Sequence, residues 1–157
     1  MAGFFVSLFY FIAFYIIIIN MNSENAYELF RDGKKHAREN DHLKAIMLFE
    51  KAIALEPEKG SVREALATSY FNCGLYRASK KNFQKALKID ASNDFAHYGL
   101  GLCLVKEGKI NTAMGHFKIA QAMKPLNTTY SDTIKRYNRI FDILHKKLPR
   151  QEEGQEK

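Results

Sequence analysis

"GLGLCLVKEGKINTAMGHFKIAQAMKP" occupies residues 99–125, and the spacing of its glycine, alanine, phenylalanine and proline decides the architecture. Moving upstream by 34 residues reaches "ALATSYFNCGLYRASKKNFQKALKIDA" (65–91), and by another 34 "DGKKHARENDHLKAIMLFEKAIALEP" (32–57). Gly33, Ala67 and Gly101 fall into one column, and Ala45, Ser79 and Ala113 into a second. Phe49, Phe83 and Phe117 form a third, followed by Ala52, Ala86 and Ala120, then by Pro57, Ala91 and Pro125. Small, small, aromatic, small and proline-like character at a constant period marks a repeat protein.

The period and the columns resemble the tetratricopeptide repeat family, in which Leu-Gly is followed by Tyr, Ala, Phe, Ala and a terminal Pro. The third copy fits best, with Leu100-Gly101, Gly108, Ala113, Phe117, Ala120 and Pro125. The first has Asp32 before Gly33 and His36 in place of Tyr. The second keeps Leu66 and Tyr70 but has Ser79 and no proline, and the chain has no tryptophan. The resemblance implies an all-α, right-handed solenoid of three helix-turn-helix repeats over 26–127 (26–59, 60–93 and 94–127).

Each copy reads as two amphipathic helices, because apolar residues recur three and four apart on both sides of a break. The breaks are Glu39-Asn40-Asp41, Asn72-Cys73-Gly74 and Glu107-Gly108-Lys109. Gly74 and Gly108 suit the left-handed conformation that closes a helix. Asp41 is placed to cap the next helix, Ser61 with Glu64 has capping-box spacing, and Pro57 and Pro125 stop the second helices. One hairpin cannot bury its apolar face alone, so three stack and share a core. Tyr130, Ile134, Tyr137, Phe141, Leu144 and Leu148 then form one stripe, which predicts a capping helix over 128–148. A partner-binding or dimerising role for that helix stays open, and the tail 149–157 reads as disordered.

The chain has 157 residues and a formal net charge of +7, with room for one domain. The charge is uneven, since 26–59 carries seven basic and seven acidic groups and 60–93 carries six against two. Cys73 and Cys103 lack metal spacing and read as buried thiols of a reducing compartment rather than a disulfide. His36, His42, His97, His116 and His145 show no ligand spacing, and "GLG" at 99–101 is repeat packing rather than a phosphate loop. No nucleophile lies in an elbow context. The expectation is a non-catalytic protein with no cofactor and no metal.

Residues 1–20, "MAGFFVSLFYFIAFYIIIIN", contain no charge, and as a helix the apolar run would span roughly 28 Å, close to a bilayer's hydrocarbon core. No basic residue precedes it and no small-x-small site follows, which favours an uncleaved transmembrane anchor over a removable signal. Arg31, Lys34, Lys35 and Arg38 follow the span, so the positive-inside rule puts the repeats in the cytoplasm. A second reading starts a soluble cytoplasmic protein at Met21. The skew of 1–20 to five Ile, five Phe and two Tyr against one Leu, and of the chain to 17 Lys over 7 Arg, is what translated AT-rich DNA also produces.

The family resemblance implies that the first helix of each repeat lines a concave groove. The corresponding residues are Tyr27, Phe30, Arg31, Lys34 and Arg38; Glu64, Thr68, Phe71 and Asn72; and Phe95, Tyr98, Leu102, Val105 and Lys106. A partner peptide with apolar anchors at one end and acidic residues at the other would match them. Packing against neighbouring helices is the competing role for each of these side chains. Family members that grip the C-terminal tails of heat-shock chaperones use Lys, Asn, Asn, Lys and Arg where this chain has Phe30, Lys34, Ala65, Phe95 and Gly99. Only Lys34 could bind a carboxylate, so such tails are disfavoured.

Arg77, Lys80, Lys81, Lys85 and Lys88 form a basic stripe on the second helix of the middle repeat. A solvated convex face is the simplest reading, followed by anionic lipid. Nucleic acid ranks last, because no stacking aromatics are interleaved. The function expected is a membrane-anchored interaction scaffold that binds a peptide in its groove. A soluble chaperone or adaptor is the alternative, with nucleic-acid binding third, and oligomeric state is open.

Overall fold

Periodic apolar positions build seven helices and no strand among the described residues. The computed structural model describes residues 25–147, with side chains to residue 143. Its helices are α1 (Ala26–Arg38), α2 (His42–Leu55), α3 (Gly60–Asn72), α4 (Tyr76–Ile89), α5 (Asp94–Lys106), α6 (Ile110–Met123) and α7 (Thr128–Lys147). The expected anchor at 1–20 and the tail at 149–157 lie outside the described residues. Within them, no helix is long and apolar enough to cross a membrane.

One turn geometry sets the period. Asn40, Gly74 and Gly108, each 34 residues apart, all have positive φ, at 61°, 76° and 76°. The amide after each donates back into the preceding helix: Asp41 N to His36 O at 2.9 Å, Leu75 N to Tyr70 O at 2.9 Å, and Lys109 N to Leu104 O at 2.9 Å. That is the six-to-one hydrogen bond of a Schellman cap. Asn40 was not foreseen in this role, although asparagine is the side chain that best tolerates left-handed backbone after glycine.

The N-caps are mixed. Asp41 accepts from Lys44 N at 3.2 Å, as expected, and Asn25 and Asn93 cap α1 and α5 through Tyr27 N and Ala96 N. The capping box at Ser61 and Glu64 does not form. Helix α3 already begins at Gly60 with Lys59 as its N-cap, so Ser61 lies inside the helix, and Glu64 instead accepts from Asn93 Nδ2 at 2.6 Å.

The first and third hairpins close by dropping an aromatic ring onto a position without a side chain. A Cβ on Gly33 would lie 2.5 Å from the Phe49 ring, and one on Gly101 would lie 2.5 Å from the Phe117 ring. In the middle repeat Ala67 fills the equivalent notch, and Phe83 lies against Gly99 of the following repeat, where a Cβ would approach to 2.2 Å. Phe83 therefore joins two repeats, whereas Phe49 and Phe117 close their own. The columns Ala45, Ser79, Ala113 and Ala52, Ala86, Ala120 are fully buried. Cys103 is buried as well, its Sγ–H donating to Ser79 Oγ at 3.2 Å, and both cysteines are free thiols. Burial pushes the Cys103 thiol pKa up.

Helices α1 to α6 pack as successive hairpins, and α7 packs against α6. Tyr137 stacks on Phe117 at 5.7 Å between centroids, and Tyr130 donates to Asp94 Oδ2 at 2.7 Å. Burial alone would raise the Asp94 carboxyl. Lys124, 2.8 Å away, and the Tyr130 hydroxyl outweigh it and hold the group below the usual carboxylate range.

Gly99→Ala is expected to destabilise the fold even though alanine is the better helix former by about 1 kcal/mol, because overpacking against Phe83 costs about 1–3 kcal/mol. Gly115→Ala, also within a helix but with nothing within 4 Å of an added Cβ, is expected to stabilise by up to about 1 kcal/mol. Urea denaturation of both variants checks the pair, and equal shifts would contradict the packing account.

Candidate functional site

Helices α1, α3 and α5 each touch the next inner helix, whereas α2, α4 and α6 meet their counterparts at most marginally. The stack therefore curves with α1, α3 and α5 on its inner side. A cleft of about 460 Å³ opens there, lined by Phe30, Lys34 and Arg38 from α1, Glu64, Thr68 and Asn72 from α3, and Phe95 from α5.

The structure divides the fourteen residues expected to line a groove. The seven just named come together in the cleft. Tyr27 is exposed at the outer edge of α1, and Arg31 donates to its neighbour Asp32 at 2.9 Å. Tyr98 packs against Phe117 and Tyr130, at centroid distances of 5.6 and 4.8 Å, and its hydroxyl lies 3.2 Å from Thr133 Oγ1. Leu102 and Val105 are half-buried on the same core. Phe71 meets the Tyr76 ring edge-on, and Lys106 lies 5.3 Å over that ring. Helix α7 takes the place of a further inner helix, and so Tyr98 serves the joint instead of the cleft.

The cleft is cationic at one end. The Lys34 ammonium sits 5.3 Å above the Phe30 centroid, where the ring face attracts the charge. Neither Lys34 nor Arg38 pairs with a carboxylate among the described residues. Thr68 Oγ1 donates to Glu64 O at 2.8 Å, and the Glu64 carboxylate is held by Asn93, which fixes the acidic group towards the start of α5. Ala37, His42, Phe49, Ser61, Ala65 and Ser69 complete the lining; Ala65 was considered only as a chaperone-tail position, and the other five were not expected in the groove. His42 belongs to an outer helix, and its Nδ1 is buried without a hydrogen-bond partner among the described residues. Its position at the first residue of α2, directly after the tight turn, was the available signal.

On the basic stripe, Lys80 is half-buried and ion-paired with Glu107, while Arg77, Lys81, Lys85 and Lys88 are exposed. No group of three or more metal-ligating side chains exists among the described residues. Two imidazoles do meet: His97 Nδ1 and His116 Nδ1 are 3.0 Å apart. His97 Nε2 lies 3.2 Å from the Ala91 carbonyl, which only accepts, so Nε2 carries the proton and Nδ1 of His97 accepts from His116. Burial, followed by the His97 charge, lowers the His116 pKa.

A tetratricopeptide repeat family model matches residues 61–93. Among curated proteins, the chain is 28% identical over 90 residues to anaphase-promoting complex subunit 3 of Schizosaccharomyces pombe, covering 57% of this chain and 14% of that protein. It is 26% identical over 103 residues to the photosystem I assembly protein Ycf3 of Synechococcus sp., covering 64% and 60% respectively. The chain thus spans less than two thirds of either relative. Among solved structures, the Sgt2 tetratricopeptide domain from Aspergillus fumigatus superposes with a TM-score of 0.74 at 14% identity, covering 86% of this chain and 92% of that one. The first such domain of Spaghetti (RPAP3), bound to an HSP90 peptide, gives 0.72 at 16% identity, covering 77% and 96%. Stacked helical hairpins with an inner cleft define the class of α-solenoid repeat proteins. Within it, this chain is similar to the tetratricopeptide repeat family over residues 61–93 and shares the fold of the tetratricopeptide domains of Sgt2 and RPAP3.

Two outcomes follow from this geometry. Tyr98→Ala should cost about 3 kcal/mol or more in denaturation, as truncations of packed aromatics do, whereas Phe95→Ala, at a side chain 40% exposed, should cost less than about half of that. Because the folded-state pKa of His116 is depressed, the unfolded chain binds more protons below its ordinary value near ~6.5. Stability is then complete above that pH and falls as pH drops from it towards the lower folded value. Thermal denaturation between neutral and mildly acidic pH checks the slope, which His116→Asn should flatten.

Proposed function

We propose that the chain is a non-catalytic adaptor that captures an extended peptide in the cleft between α1, α3 and α5. The observation that carries this reading is the juxtaposition of two aromatic rings, Phe30 and half-open Phe95, with Lys34 and Arg38, whose charges no carboxylate among the described residues neutralises. Apolar anchors would bury against the rings, and acidic side chains of the peptide would pair with the cations and set its register. Three of the positions that differ from the chaperone-tail pattern, Phe30, Ala65 and Phe95, line this cleft, while Gly99 is buried under Phe83. The selectivity proposed is therefore for an apolar-acidic segment rather than for a terminal carboxylate.

One relative is named an assembly protein and one structural neighbour holds a peptide, which supports an assembly or chaperone adaptor as the wider role. Tethering through residues 1–20 is a finer proposal that the cleft chemistry does not require.

Panning a random peptide library on the full chain tests the reading. Enriched peptides should combine aromatic or aliphatic anchors with Asp or Glu, and Lys34→Gln/Arg38→Gln should weaken them by about tenfold or more, since charge-assisted contacts are worth about 1.5–3 kcal/mol each. Enrichment of peptides without acidic residues, or binding indifferent to both substitutions, would overturn it.

A further inference from the structure

The outer layer carries the charge of the molecule. Helices α2, α4 and α6 hold eight lysines and arginines against the single Glu50, an excess equal to the formal +7 of the whole chain. Glu50 is itself engaged by the Tyr70 hydroxyl. The acidic residues of the described repeats otherwise sit on the inner helices and in the turns. A basic face usually means only solvation, but the surface beside this one is not polar. Leu43, Met47 and Leu55 of α2 are 68, 64 and 54% exposed, and Ile119 and Met123 of α6 are 40 and 39% exposed.

The repeat register puts these side chains on one face. Positions 34 apart are equivalent, so Leu43 corresponds to Arg77, Met47 to Lys81, Ile119 to Lys85, and Leu55 and Met123 to Ile89. The result is a central row of exposed cations (Arg77, Lys81, Lys85, Lys88) flanked by exposed aliphatic side chains on both neighbouring helices. Isolated exposed aliphatics are ordinary on protein surfaces. Aliphatics aligned in register with a cation row are the pattern of a surface that meets an anionic lipid interface, where the apolar tips enter the headgroup layer and the cations pair with phosphate and carboxylate.

Nucleic acid fits this face less well. The phenylalanines of the three outer helices are buried, and Tyr76 is half-buried beneath Lys106, leaving no exposed ring on which a base could stack. We propose that the outer face formed by α2, α4 and α6 is a docking surface for anionic lipid membranes, leaving the inner cleft open to a peptide. Lys80 has no part in it, since Glu107 holds its ammonium.

The test uses the full chain with an environment-sensitive fluorophore on Met47→Cys in a Cys73→Ser background; Cys103 is fully buried and does not compete for label. Because the probe reports contact of this face only, it reads the proposal whether or not residues 1–20 also bind lipid. Phosphatidylcholine vesicles containing phosphatidylserine should blue-shift the emission, and vesicles of phosphatidylcholine alone should not. The quadruple variant Arg77→Gln/Lys81→Gln/Lys85→Gln/Lys88→Gln, confirmed as folded by circular dichroism, should raise the lipid needed for half-maximal response on the order of 100-fold. No shift while the chain co-sediments with vesicles, an equal shift on uncharged vesicles, or a response unchanged in the quadruple variant would each overturn the proposal. Retention on single-stranded poly(U) without any vesicle response would reassign the face to nucleic acid and overturn it equally.

Discussion

Everything in this structure depends on three phenylalanine rings lying against positions that have no room for a side chain. Phe49 and Phe117 press on Gly33 and Gly101, and Phe83 presses on Gly99. Contacts this close are possible only where the opposing helix offers bare backbone, and they fix the helix separation within the first and third hairpins and between α4 and α5. The buried alanine and serine columns continue that approach along α2, α4 and α6. Since the interior is packed at crystal-like density, the positions of the remaining side chains, including those of the cleft, follow from this spacing.

The middle repeat shows how one methyl group changes the wiring. With Ala67 in the notch where the other repeats have glycine, Phe83 turns to Gly99 and draws α4 against α5. Buried residues of the second and third repeats and Ile134 of α7 accordingly form one cluster, while the first repeat, with Val62 and Leu66, forms another. The cleft lies where these two clusters meet, with Phe30 on the first and Phe95 on the second. A solenoid is stabilised through its nearest-neighbour interfaces, so a site at such a junction can accommodate a ligand without disturbing either cluster.

The two faces of the solenoid carry different chemistry because they obey different constraints. On the inner side, exposed groups compete with helix packing, and five of the fourteen expected groove residues are spent there: Tyr98, Leu102 and Val105 secure α5 to the core beneath α7, and Phe71 and Lys106 gather around Tyr76. The outer side has less of that demand, and Arg77, Lys81, Lys85, Lys88 and several aliphatic side chains are exposed on it. Acidic groups are bound into structure instead, with Asp94 holding Lys124 and Tyr130 at the start of α5, and Glu107 holding Lys80 and Lys109 at the end of it.

The sequence by itself determined the helices and their order, because periodicity, the 34-residue interval and the prolines after α2 and α6 are local properties of the chain. It also determined which small and aromatic columns are buried, since a residue type held at a fixed interval returns to the same side of its helix each time. It did not determine the capping of α3, where the start of the helix one residue before Ser61 removed the expected box. Nor did it determine the direction of Phe83, the burial of Tyr98 by α7, the capture of Lys80 by Glu107 or the meeting of His97 with His116. Each of those depends on which helix arrives from a distant part of the chain and how closely it approaches, and that distance is decided by packing, which no periodicity along the chain encodes.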